Sequence, residues 1–122
     1  MEKDQVAYTI TDPDDLDIEA SLEGRRVGYI WCLRDGCRLK IADLQVAQAY
    51  QRRGIGARLL RTVLQAADGA GIDEVWGVVT DDDLKRWPGL LRWYERNGFT
   101  ITEPDADARD GPPAVKKIIR VR

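Results

Sequence analysis

The stretch with the clearest chemical potential is "YQRRGIGARLL", Tyr50 to Leu60. Gly54 and Gly56 stand one residue apart, Arg52 and Arg53 precede them, and Arg58 and Arg61 follow. Glycine lets a backbone come close to a ligand, and the first N–H groups of a helix have no partner inside it. A helix starting here would point its positive dipole end, backed by those arginines, at an anion. No acid interrupts the run from Gln51 to Arg61, so a phosphate or pyrophosphate suits it. The spacing is not G-x-G-x-x-G, and the Lys-Ser/Thr of a P-loop is missing, which argues against a dinucleotide or nucleoside-triphosphate site. The plain alternative is a tight strand–helix turn with a solvated arginine face.

Asp43 is the second chemical candidate. Two-residue periodicity puts it in phase with Leu39 and Ile41, so an acid is expected on an apolar strand face. A carboxylate withdrawn from water becomes a better proton acceptor. A structural aspartate bonded to backbone fits the position equally well. The run Asp81–Asp83 follows the next strand; it either lines a substrate mouth or is a solvated charge run.

These residues need a scaffold. Val6 to Thr11 is rich in β-branched and aromatic residues, and Asp12 to Asp17 is turn chemistry. Ile18–Leu22, Arg26–Leu33 and Arg38–Val46 follow as strands, giving an antiparallel meander of four. From Gly54 the period changes: Ile55, Leu59, Leu60, Val63, Leu64 and Ala67 form one apolar stripe of a helix ending near Gly69 to Gly71. Glu74–Thr80 is a strand, so a strand–helix–strand crossover sets it parallel to Arg38–Val46. Gly89–Phe99 contains a second, shorter helix, stopped by Asn97-Gly98. Phe99–Thr102 and Ala114–Val121 close the sheet, and the acidic segment Glu103–Pro113 between them is expected to be a mobile loop.

Composition bounds the function. The 122 residues suffice for one domain spanning the whole chain, 1–122. A net charge of -2 makes the chain a poor partner for nucleic acid. No apolar run reaches membrane-spanning length and "MEKDQVAYTI" lacks a signal-peptide layout, so a cytoplasmic location and no membrane partner are expected. Histidine is absent, which removes the commonest metal ligand, and no metal is expected. Cys32 and Cys37 flank "LRDG". A two-residue turn at Asp35-Gly36 would face Cys32 with Leu39 and Arg34 with Cys37. The thiols would then lie on a diagonal roughly 7–8 Å apart, too far for an unstrained disulfide, so both are read as reduced packing residues.

Two motifs together resemble the GNAT superfamily of N-acetyltransferases. "LQV" and "QRRGIGA", Leu44–Val46 and Gln51–Ala57, are similar to its L-x-V strand and Q/R-x-x-G-x-G/A loop. "WYERNGF", Trp93–Phe99, is similar to its F-Y-E-K-x-G-F signature, in the right order and at a fitting separation. The resemblance covers Arg26 to Phe99. It implies an α/β (α+β) fold: a mixed, mostly antiparallel twisted sheet of about six to seven strands with two main helices. It implies acetyl-CoA as acyl donor and direct attack by a primary amine. Backbone N–H groups of Gln51, Arg52, Arg53, Gly54, Ile55, Gly56 and Ala57 would hold the pyrophosphate, with Arg58 adding charge. Leu44, Gln45 and Val46 would bind the pantetheine in a gap between splayed strands, and Tyr94 would be the general acid. A core aromatic in phase with Leu90 and Leu91 is the other reading of Tyr94.

The chain departs from that family in two respects, one being that the asparagine often found before the second motif is absent, with Trp87 near its place. GNAT proteins usually carry two helices between the first and second strands, and here only Asp12–Asp17 fills the place. The uncovered surface and the tryptophans Trp31, Trp76, Trp87 and Trp93 suggest a homodimer, with Trp31 or Trp76 at the contact. Acids at Asp12–Asp17, Asp81–Asp83 and Asp105–Asp110 favour a cationic amine acceptor, whether small molecule or protein. The rival readings are a CoA-binding pseudoenzyme or a protein-interaction module with this fold, and a nucleic-acid binder using the arginine stripe.

Overall fold

The computed structural model describes residues 5–102 and 113–118. Four strands come first: β1 (Ala7–Asp12), β2 (Asp17–Leu22), β3 (Arg25–Asp35) and β4 (Arg38–Val46). A 3₁₀ turn at Gln48–Tyr50 leads into helix α1 (Ile55–Gly69). Strand β5 (Glu74–Val78), helices α2 (Asp81–Arg86) and α3 (Leu90–Arg96), and strands β6 (Thr100–Thr102) and β7 (Ala114–Ile118) complete the chain. The seven strands form one sheet in the order β1-β2-β3-β4-β5-β7-β6. The first four pair antiparallel as a meander, and β5 joins β4 in parallel through the α1 crossover. The expected mixed, mostly antiparallel sheet is therefore present. The expected loop 103–113 and the acids Asp105–Asp110 lie outside the described residues, apart from Pro113 at its end.

Helix α1 forms because its apolar residues recur at helical spacing. Ile55, Leu59, Leu60, Val63 and Ala67 are all buried on one stripe. That stripe packs on Ile18, Ala20, Ile30, Leu39 and Ile41, the inward residues of β2, β3 and β4. Each buried isoleucine, leucine or valine of this set stabilises by roughly 1.5–3 kcal/mol when removed from water. Gly71, at φ 79°, ends the helix, and the Ile72 N–H returns to the Ala67 carbonyl at 3.1 Å. Helix α3 ends alike: Gly98 has φ 90°, and the Phe99 N–H donates to the Tyr94 carbonyl at 3.0 Å.

Helix α2 does not show in the periodicity. Asp81–Asp83 is its first turn, with Asp81 and Asp82 exposed to solvent as a charge run would be. Thr80 Oγ1 accepts from the Asp83 N–H at 3.1 Å, and Asp83 Oδ2 accepts from the Thr80 N–H at 3.0 Å. This reciprocal cap explains the helix, and Thr80-x-x-Asp83 is its sequence signal.

The β3–β4 hairpin turns one residue later than the two-residue reading places it. Asp35 pairs with Arg38, so Gly36 and Cys37 make the turn and Gly36 takes the positive φ of 63°. Glycine at the first central position suits a II′-type turn, whereas I′ needs positive φ at both. Cys32 consequently faces Ile41, not Leu39. Both cysteines are free, as expected: Cys32 is buried and Cys37 half-buried.

The sheet has two unlike faces. One carries the helices and the core. The other presents Tyr29, Trp31 and Leu33 from β3, and Arg38 and Lys40 from β4 beside Trp76 of β5. Trp31 is 39% exposed, Leu33 56% and Val78 37%. Only the turn 13–16 joins β1 to β2, so no helix from that connection reaches this face.

Candidate active site

The site is built where β4 leaves β5. The parallel ladder pairs Arg38, Lys40 and the intervening Leu39 with Glu74, Trp76 and Val75, and then stops. Gly77 still lies against Ile41: a Cβ there would stand 3.5 Å from the Ile41 Cβ. Beyond it β4 runs on to Val46 paired only with β3, through Leu44–Ile30, Gln45–Tyr29 and Val46–Gly28. The edge of β4 turned towards β5 is thus open from Asp43 to Val46, beside the start of α1.

The loop between β4 and α1 carries two left-handed residues in close succession. Arg52 has φ 65° and Gly54 φ 82°, with Arg53 between them outside that region. A left-handed arginine costs on the order of 1–3 kcal/mol and persists only where its surroundings hold it. Alternation of hand turns successive N–H groups towards one side, the arrangement of an anion cradle. The first bond into the α1 ladder is donated by the Arg58 N–H to the Gly54 carbonyl at 3.0 Å, so the amides of Ile55, Gly56 and Ala57 precede it. The Gln51 side chain ties the loop to the strand end, its Nε2 donating to the Val46 carbonyl at 2.9 Å.

The two sequence motifs meet at Gly56. A Cβ on that residue would lie 3.6 Å from Trp93 Cζ2 and 3.7 Å from Val46 Cγ2. The strand end, the helix start and α3 therefore converge on one glycine. The next residue of α3, Tyr94, is 6% exposed, its ring set edge-on to Trp93 and Phe99 at centroid distances of 5.0 and 5.3 Å. Burial pushes its hydroxyl well above the usual tyrosine range, with the Asp83 carboxylate and Cys32 thiol adding smaller pushes. A proton is held there at neutral pH, which a general acid requires. The same packing makes Tyr94 part of the core, which is the second of the two sequence readings.

Asp43 is not where two-residue periodicity places it. Cys32 faces Ile41 while Trp31 faces Asp43, so Ala42 is an extra residue on β4. The bulge moves Asp43 off the Leu39–Ile41 face onto the helix-free face. There its Oδ2 accepts from the Tyr29 hydroxyl at 2.7 Å and its Oδ1 from Gln45 Nε2 at 3.1 Å. Both partners are side chains, not the backbone groups of a structural aspartate. Tyr29 stacks on Trp31 at 4.1 Å, which completes an aromatic–carboxylate patch beside the open strand edge. Burial, and then the bond to Asp43, raise the Tyr29 hydroxyl above its usual range. Sequence reading misses Tyr29; its signal is the outward period-two series Tyr29, Trp31, Leu33.

Residues 17–101 match the profile of the Acetyltransferase (GNAT) domain. The chain belongs to the GNAT family. No curated protein matches its sequence. Solved structures place this GNAT domain among others of the same fold. PaiA N-acetyltransferase from Thermoplasma acidophilum, in complex with coenzyme A, superposes with a TM-score of 0.70 at 19% identity, over 84% of this chain and 60% of that one. The chain thus spans less than two thirds of that relative's length. Diaminobutyrate acetyltransferase EctA from Paenibacillus lautus, bound to L-2,4-diaminobutyric acid and coenzyme A, gives 0.70 at 17% identity, over 98% and 99% of the two chains. An aminoglycoside 6′-N-acetyltransferase complexed with coenzyme A gives 0.66 at 19% identity, over 88% and 74%. Among the described residues of the GNAT domain, no helix is long and apolar enough to cross a membrane.

Proposed function

We propose that this GNAT domain moves an acetyl group from acetyl-CoA to a primary amine. The observation that carries the reading is the convergence at Gly56 of the amide-rich loop, the open end of β4 at Val46, and Trp93 of α3, the neighbour of Tyr94. In this reading the amides of Gln51 to Ala57 hold the pyrophosphate, and Arg52, Arg53 and Arg58 add positive charge. Leu44, Gln45 and Val46 bind the pantetheine along the open edge of β4, and an amide there receives the oxyanion of the tetrahedral intermediate. The amine nitrogen attacks the thioester carbonyl, the carbon–sulfur bond breaks, and Tyr94 gives its proton to the departing thiolate. Asp43 faces the opposite side of the sheet and accepts the amine's proton there, directly or through water.

A cationic acceptor suits the helix-free face. Asp43 offers a carboxylate beside the Tyr29–Trp31 stack, and Arg26 already rests over the Tyr29 ring at 5.0 Å, so the ring takes a cation. Two of the structural relatives are described with a diamine acid and as an aminoglycoside acetyltransferase. The acceptor side is open because no helix joins β1 to β2. A second copy packed face to face closes it: each copy carries Arg38 and Lys40 towards β5 and Glu19 and Asp43 towards β2 and β3, so opposite charges can meet around the apolar rings. A cytoplasmic location accompanies the reduced cysteines and the acetyl-CoA supply.

The test is thiol release from acetyl-CoA against a panel of mono-, di- and polyamines. Turnover with cationic amines, falling as salt rises, supports the proposal. Tight CoA binding with no turnover for any amine, peptide or protein N-terminus would leave the non-catalytic binding module.

A further inference from the structure

The parallel rungs between β4 and β5 end at Lys40 opposite Trp76, so this pair closes the opening at its narrow end. Both side chains lie on the helix-free face, with Lys40 Nζ over the Trp76 ring at 5.2 Å. Arg38 rests over the same ring at 4.9 Å, but Glu74 Oε2 already holds its Nε at 2.7 Å. Lys40 has no acid at salt-bridge distance among the described residues. The bulge at Ala42 sets how far this ammonium stands from the Asp43 carboxylate. Lys40 faces Leu33 and Asp43 faces Trp31, so the two are only two strand positions apart when counted on β3. That is roughly 7 Å along the sheet. A carboxylate and an ammonium thus share one face, beside one opening, without meeting each other.

We propose that the acceptor is a short ω-amino acid, its reacting amine at Asp43 and its carboxylate on Lys40; this rests on the acceptor reading above. Tyr29 and Gln45 already orient the Asp43 carboxylate towards a cation. Lys40 is steadied over Trp76, and a cation held on a ring loses less freedom when an anion arrives. The separation of the two charges selects among amines. An α-amino acid carries both its charges on one carbon and cannot reach both groups. A diamine sets a second cation against Lys40, which rejects it. In the transfer the amine nitrogen bonds to the acetyl carbon, the carbon–sulfur bond breaks, the thiolate takes the Tyr94 proton and the amine's proton passes to Asp43. The product is an N-acetyl amino acid. It has lost the cation that Asp43 held and keeps only the carboxylate on Lys40, so it leaves more easily than the substrate.

The experiment is thiol release from acetyl-CoA by the full chain with 5-aminopentanoate, pentylamine, 1,5-diaminopentane and glycine, all at nanomolar protein so that a second copy does not compete for Lys40. The wild type should use 5-aminopentanoate with a kcat/KM about tenfold above that of pentylamine, and glycine and the diamine should fall below it. Lys40→Gln should erase the advantage of the carboxylate. Lys40→Glu should turn the preference round in favour of the diamine. Equal wild-type kcat/KM for 5-aminopentanoate and pentylamine overturns the inference, and that measurement needs no variant to fold. An advantage that survives in a folded Lys40→Gln overturns it too, and glycine used as well as 5-aminopentanoate overturns the spacing argument. No turnover with any amine sinks the transferase reading and this inference together; turnover of pentylamine and the diamine with no gain from a carboxylate sinks this inference alone.

Discussion

The Tyr29 hydroxyl donates to Asp43 Oδ2 at 2.7 Å, across the β3–β4 ladder and on the sheet face that no helix covers among the described residues. With Gln45 on the other oxygen, the carboxylate is oriented before any acceptor arrives. Tyr29→Phe removes one donor and keeps the ring stacked on Trp31. The acceptor KM should rise several-fold while the CoA dissociation constant stays fixed. Asp43→Asn should lose more, and its deficit should shrink at high pH, where more of the amine is already neutral. Steady-state kinetics of both variants across pH checks this; a deficit in Asp43→Asn that is constant with pH removes Asp43 as the base.

Tyr94→Phe keeps the buried ring and deletes the proton. General acids contribute about 10²–10⁴-fold, so kcat should fall by that order with acetyl-CoA affinity retained. The loss should shrink for an acyl donor whose thiol leaves more easily. The raised hydroxyl also has a stability consequence. Folded Tyr94 resists ionisation while unfolded Tyr94 ionises near pH 10, so its contribution is intact below that pH and declines above it. Melting curves between pH 8 and 11 should fall less steeply in Tyr94→Phe than in the wild type.

Gly56 faces Trp93 and Val46 where the two motifs meet. Gly56→Glu places a carboxylate in the proposed pyrophosphate cradle. Wild type at about 100 times the CoA dissociation constant should gain roughly 2.7 kcal/mol of stability. The variant should fold and show no such gain. Thermal denaturation with and without CoA reads both; an equal shift in the variant removes the cradle from this loop.

The two cysteines should differ sharply in reactivity. Burial, helped by Asp17 and Asp15, pushes the Cys32 thiol up to about 12, so it stays protonated and covered at pH 8. Cys37 is half-buried in the Gly36–Cys37 turn. Iodoacetamide at pH 8 followed by mass spectrometry should label Cys37 alone in the native protein and both residues in urea.

The exposed Trp31–Leu33 face should bring two copies together. Light scattering should report a dimer at high micromolar concentration, and Trp31→Glu should convert it to a monomer without lowering CoA affinity. A wild-type monomer at that concentration refutes the closure of the acceptor side by a second copy.

Much of this is legible in the sequence because it is local. The stripe Ile55–Ala67 defines α1 by its own period, Gly71 and Gly98 end their helices by their own φ, and Gln51–Ala57 and Trp93–Phe99 carry the family signature in short runs. The tertiary structure decided what depends on pairing. An extra residue at Ala42 reverses the facing of every β4 residue after it, and nothing within β4 alone reveals it, because a bulge exists only relative to a partner strand. Periodicity alone therefore puts Asp43 on the core face, whereas it lies on the open one. The hairpin turn slips by one residue for the same reason: Asp35-Gly36 and Gly36-Cys37 are both acceptable turns, and the β3–β4 register chooses between them. The contact of Gly56 with Trp93 joins residues far apart in the chain, and only the packing of α3 against the start of α1 brings them together.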